Sequence, residues 1–239
     1  MRSRVPCRRS IFFRTTRDSY YRSRMRPLST NWPVGEPKPR ASASLVTSGE
    51  AHSTFRHALR AYGPKIDVPA VKLASVEAIV RALNENRVAF IVVGGLAVVA
   101  HGYGRLTQDL DLVVRLESEN VRRAFETLSG LGYRPRVPVT AEGLGDAAQR
   151  ARWISEKGMT VLNFHSDRHR ETPIDVFVVE PFDFVEEHRH ARVAEIAPGA
   201  EVRIVRLETL IRMKERAGRP QDLADVAELR ALDKGGERE

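Results

Sequence analysis

The run Asp109-Leu110-Asp111-Leu112-Val113 constrains this 239-residue chain more than any other segment. Side chains alternate across a strand, so the leucines take one face and the aspartates the other. The leucines point into a core. The aspartates share one face and repel each other, a cost tolerated where a cation binds or a proton is exchanged. Mg²⁺ takes a few carboxylates together with substrate phosphates, so such a pair at a strand end suits a metal–nucleotide site. Taken alone, it suits two solvated acids equally well.

A spacer of thirteen residues separates Gly94-Gly95 from Asp109. Residues 87–93 are rich in β-branched side chains and read as a buried strand. Residues 96–101 read as a short helix. Glycine at such a junction lets bare backbone approach a ligand, and N–H groups at a helix start favour an anion. A tight turn that only needs small residues fits as well. Arg105 and Thr107, in the loop leading to the aspartates, are candidates for phosphate contact or plain surface residues.

Period and punctuation give the remaining elements. Apolar residues from Val71 to Leu83 recur at helical spacing over residues 69–86. A strand is expected over 109–114, then a helix N-capped by Ser118 and closed by Gly130. A strand over 133–137, a loop over 138–148 and a helix over 147–157 follow. Two strands fall at 159–164 and 173–179, and two short edge strands at 192–196 and 201–205. Two helices end the chain, 207–217 and one starting at Pro220, where proline suits the first turn. The expected fold class is α+β, a central mixed sheet flanked by helices.

Charge separates the chain into two parts. Residues 1–40 hold eleven Arg and Lys against two acids; the remainder holds twenty-eight against twenty-nine. The net +8 therefore lies in the N-terminal segment, and the body offers no broad basic field for nucleic acid. Residues 1–68 mix Arg, Ser, Thr and Pro without apolar period and are expected to be a disordered extension. A basic nucleic-acid-binding arm and an organelle transit segment are competing readings, as is an early start ahead of Met25. Residues 69–239 form the expected domain. The longest apolar run, 88–100, is shorter than the roughly 18–20 residues a membrane helix needs. One cysteine, Cys7, excludes an internal disulfide and a cysteine-built zinc site, and suits a reducing, cytoplasmic setting. The histidines at 101, 165, 169, 188 and 190 form no zinc spacing and are read as structural.

A third acid stands in Pro173-Ile174-Asp175-Val176-Phe177. A charge within an apolar strand is costly unless paired or on an open face. Ile174 and Val176 face away from it, so Asp175 is free to join the aspartate pair from a neighbouring strand, or to serve a salt bridge. Near the C-terminus, Lys214 falls inside the stripe of Leu207, Leu210 and Ile211, where it either snorkels or reaches a phosphate. Asp222 falls within the arc of Leu223, Val226 and Leu229, and the helix dipole alone would also favour it there.

The run Val92-Val93-Gly94-Gly95-Leu96-Ala97, continued by Arg105-Leu106-Thr107-Gln108-Asp109-Leu110-Asp111-Leu112-Val113, resembles the signature of the polymerase-β-type nucleotidyltransferase superfamily. Asp175 takes the third acidic place. Gly95 is a departure, since many members carry serine there. The double glycine, with Lys214 and Gly218-Arg219-Pro220-Gln221-Asp222-Leu223-Ala224-Asp225, is similar to the AbiEii-like branch of abortive-infection and toxin–antitoxin proteins. The resemblance covers residues 70–235. It implies transfer of a nucleoside monophosphate from an NTP to an acceptor, with two Mg²⁺ ions held by Asp109, Asp111 and Asp175. It further implies that Gly94, Gly95, Arg105, Thr107, Lys214 and Asp222 bind the nucleotide. The acceptor would be RNA, such as a tRNA end, or a cognate protein, with a toxin–antitoxin partner. A small-molecule acceptor such as an antibiotic, and a non-catalytic regulatory module, are the alternatives.

Overall fold

The computed structural model describes residues 71–236. The N-terminal extension expected over 1–68 lies outside the described residues. The first helix, α1 (Leu73–Glu85), buries Val76, Ile79, Val80 and Leu83 on the stripe its period predicts. Strand β1 (Phe90–Val92) is buried throughout. Helix α2 (Gly94–Ala100) begins at the glycine pair itself, so these glycines open the helix rather than end the strand. Strand β2 (Leu110–Val114) follows, with Leu110 and Leu112 at 0 % exposure.

Helix α3 (Ser118–Gly130) differs from expectation at both ends. Glu117 is the N-cap, Ser118 the first helical residue, and no side chain caps the turn. Beyond the helix, Gly132 rather than Gly130 takes the left-handed conformation, at φ +82°. Strand β3 (Tyr133–Pro135) leads to α4 (Ala141–Gly145), inside the segment expected to be loop. Its Thr140 cap accepts from the Gly143 N–H at 3.2 Å. Helix α5 (Ala147–Lys157) is capped by Asp146, which accepts from Ala148 N–H at 2.8 Å.

Strands β4 (Val161–Ser166) and β5 (Ile174–Phe177) come next. Helix α6 (Phe184–His190) then appears where no helix was expected, capped by Asp183. The hairpin β6 (Arg192–Ala197) and β7 (Ala200–Ile204) precedes the terminal pair α7 (Leu207–Ala217) and α8 (Pro220–Gly236). Gly218, at φ +64°, ends α7 in the left-handed cap that glycine favours.

The seven strands form one mixed sheet in the order β3-β4-β5-β2-β1-β7-β6. β7 is therefore an interior strand, not an edge. It pairs parallel to β1, with Val92 opposite Ile204, and only β6 is exposed as an edge on that side. β2 pairs antiparallel with β1 and parallel with β5. Helix α3 covers the leucine face, where Phe125 meets Phe164 of β4 edge to face at 5.2 Å. The aspartates lie on the opposite face. Among the described residues, no helix is long and apolar enough to cross a membrane.

Candidate active site on the aspartate face

The parallel register of β2 and β5 places Asp111 directly opposite Asp175. Paired positions in a sheet share a face, so the two carboxylates stand side by side. Asp109, two residues before Asp111, adds its charge to the same cluster. Burial first, then the charges of Asp109 and Asp175, push Asp111 up to about 7. The Gly95 N–H, which hydrogen-bonds the Asp111 carboxylate, and the charge of Lys214 pull it the other way.

The glycine pair is shaped around these groups. Gly94 sits at φ +63°, and a β-carbon there would run into the Asp111 carboxylate. A β-carbon on Gly95 would collide with the Thr107 hydroxyl and come within 3.0 Å of the Arg105 guanidinium. Thr107 fills the space that a side chain at Gly95 would take. Thr107 is itself buried and its hydroxyl donates to the Asp109 carbonyl at 3.2 Å. It is thus a strut of the loop that presents Asp109.

A buried charge network lies behind the aspartates and joins that loop to the last two helices. Lys214, 5 % exposed, donates to Asp222 Oδ1 at 3.0 Å and pairs with Asp225 Oδ2 at 2.7 Å. Arg105 pairs with Asp225 Oδ1 at 2.9 Å, and Gln221 Nε2 donates to that same oxygen at 3.2 Å. Arg219 Nε donates to Asp222 Oδ2 at 2.5 Å. Burial opposes ionisation of Asp222, but the hydrogen bonds from Arg219 and Lys214 outweigh it and hold the carboxyl below its ordinary range. Arg105 and Lys214 are therefore both engaged with carboxylates. The side chain of Arg219 is 69 % exposed and feels the charges of Asp111 and Asp109.

The donor set is hard oxygen, crowded and like-charged, which suits a divalent cation. Among the described residues no three or more His, Cys, Asp or Glu converge as a ready-made metal cage. Mg²⁺ does not require one, since it is bound by one or two carboxylates with waters and substrate phosphates. Two concave clefts, of about 310 Å³ beside Phe182 and Arg206 and about 470 Å³ beside Val88 and His188, are lined by none of these aspartates.

No protein-family model and no curated protein matches the sequence. Solved structures that resemble the chain include nucleotidyltransferases. A lincomycin-bound lincosamide antibiotic adenylyltransferase aligns with a TM-score of 0.47 and 12 % identity, over 68 % of this chain and 99 % of its own. A nucleotidyltransferase-like antigen from Paracoccidioides brasiliensis aligns at 0.42 and 16 %, over 69 % and 79 %. ANT(2″)-Ia with adenylyl-2″-tobramycin also aligns at 0.42 and 16 %, over 70 % and 91 %. At these values the likeness is loose and assigns no activity.

The structure thus brings Asp109, Asp111, Asp175, Gly94 and Gly95 into one place and sets Arg105, Thr107, Lys214 and Asp222 close behind. Sequence reasoning missed Asp225, which is fully buried and holds both Arg105 and Lys214. Its place in the terminal motif was the available signal. Asn163 was missed as well, although it stands opposite Asp175 on β4. Two of the histidines read as structural, His101 and His169, have structural partners. His101 Nε2 lies 2.8 Å from the Val205 carbonyl, and His169 stacks on Tyr133 and meets Ser75 Oγ at 2.9 Å.

Proposed function

We propose that the chain is a Mg²⁺-dependent nucleotidyltransferase that moves a nucleoside monophosphate from an NTP to an acceptor hydroxyl. The observation that carries this reading is the register pair Asp111–Asp175, built against a left-handed glycine whose missing side chain leaves room for the carboxylate. Asp109, Asp111 and Asp175 would hold the metal. When bound, Mg²⁺ lowers the pKa of the attacking hydroxyl and offsets charge on the phosphates.

Asp175 stands 2 % exposed in the middle of the sheet and accepts the proton of the acceptor hydroxyl. The acceptor oxygen forms a bond to the α-phosphorus. The bond to the bridging oxygen breaks, and pyrophosphate leaves. Exposed Arg219 supplies positive charge to the triphosphate, and Lys214 adds its charge from the buried network behind the aspartates. Asp222 and Asp225 orient Lys214 for this role. Arg105 and Thr107 act through the loop they brace.

The resemblance to the AbiEii-like branch supports RNA, tRNA ends included, or a cognate protein as acceptor within a toxin–antitoxin pair. The test is incubation of the full chain with each NTP labelled at the α-phosphate, with Mg²⁺, and with total RNA or lysate protein. Label is expected on one of the two acceptor pools and is lost with Asp111→Ala. Transfer by Asp111→Ala at the wild-type rate would remove the metal assignment.

A further inference from the structure

Strand β4 brings one residue against the third aspartate. Asn163 is the antiparallel register partner of Asp175, so the two side chains share the aspartate face. Asn163 Nδ2 donates to Asp175 Oδ1 at 2.5 Å. The other end of the same amide is also engaged. Arg136 Nε donates to Asn163 Oδ1 at 2.5 Å. The Arg136 backbone N–H donates to the Asn163 carbonyl at 2.9 Å, which ties the chain beyond β3 to β4 at this point.

The amide is therefore wired in one direction. A flipped Asn163 would set its oxygen against a carboxylate oxygen and its NH₂ against the Arg136 N–H. Arg136 forbids the flip, and Asn163 in turn fixes the rotation of the Asp175 carboxylate. Without Asn163, the like charge of Asp111 across the register would push on Asp175 with no hydrogen bond from β4 to hold it. A ligand carboxylate held in this way needs no reorganisation when a cation arrives.

We infer that Asn163 and Arg136 are positioning residues for metal binding: Asn163 sets the Asp175 carboxylate and Arg136 sets Asn163. This rests on the reading of Asp175 as a metal ligand. Neither residue touches the acceptor or the NTP in this role. Their effect passes through Asp175 and reads out as cation affinity.

The experiment is a Mn²⁺ titration of the full chain with a non-hydrolysable NTP analogue, following free Mn²⁺ by electron paramagnetic resonance. Wild type, Asp111→Ala, Asn163→Ala and Arg136→Ala are compared, with a thermal melt of each. Wild type binds, and Asp111→Ala does not. Asn163→Ala weakens binding by about 10- to 100-fold, the usual effect of removing the partner that orients a ligand. Arg136→Ala weakens it by a smaller factor with an unchanged melt, since that side chain is exposed. Wild-type affinity in both variants, with binding still lost in Asp111→Ala, overturns the positioning role and leaves the metal site standing. Should Asn163→Ala fail to fold, Arg136→Ala decides by the same criterion. No Mn²⁺ binding by wild type, or undiminished binding by Asp111→Ala, removes the metal reading and this inference with it.

Discussion

At the residue scale, Gly94 and Asp111 are two halves of one feature. The left-handed φ of Gly94 and the carboxylate lying where its β-carbon would be make alanine costly twice over. Gly94→Ala is expected to lower stability by about 1–3 kcal/mol in urea unfolding, the range for a non-glycine residue forced into that conformation. It is also expected to lose metal-dependent NTP binding, because the carboxylate must swing away. Asp111 gives a second prediction. Its pKa is raised from 3.8 to about 7 in the fold. Between those values the folded protein binds the proton more tightly than the unfolded chain. Its contribution to metal-free stability is therefore greatest at low pH and is lost as pH rises through 7. Wild type compared with Asp111→Asn by urea unfolding, at about pH 5 and pH 8, should show that loss in wild type only. A cation must displace the same proton, so Mg²⁺–NTP affinity should rise up to about tenfold per pH unit until about pH 7 and then level.

At the element scale, the loop before β2 and the α7–α8 pair behave as one support. Asp225 sits at 0 % exposure between Arg105 and Lys214. Removing one partner of a buried ion pair leaves the other charge uncompensated, which costs about 3–5 kcal/mol. Asp225→Ala is expected to destabilise by that order in urea. A change within about 0.5 kcal/mol, the range of ordinary surface substitutions, would show that the network is not structural. Strongly periodic elements were legible in the sequence. The stripe of α1, the alternation of β2 and the Gly218-x-Pro220 break between α7 and α8 stand where period and punctuation put them. Helices α4 and α6 were not legible, because each is short and held by contacts from elsewhere. Glu187 of α6 is buried only because Arg206 and Thr209, far along the chain, donate to it.

At the scale of the whole molecule, the sheet order explains what local reading left out. That β2 and β5 are parallel neighbours, with Asp111 opposite Asp175, is a statement about pairing between distant segments. Alternation alone put Asp109 and Asp111 on one face and Asp175 on a polar face of its own strand. Pairing made those faces the same. The interior place of β7 was likewise hidden, since a short strand with polar alternate residues looks the same at an edge or beside a parallel partner. Lys214 and Asp222 were visible as misplaced charges on apolar stripes. Asp225 at 0 % exposure was not, because a helical wheel puts it only at the border of the stripe, and Arg105 reaches it from another element.

The proposed function stands or falls with binding of a metal–nucleotide complex on the aspartate face. Calorimetry of the full chain with each of the four NTPs, with and without Mg²⁺, tests it most directly when repeated on Asp109→Ala/Asp111→Ala. Binding of at least one NTP is expected to require Mg²⁺ and to disappear in the double variant while the fold survives. Binding that persists in a folded double variant, or no binding of any NTP by folded wild type, would contradict it.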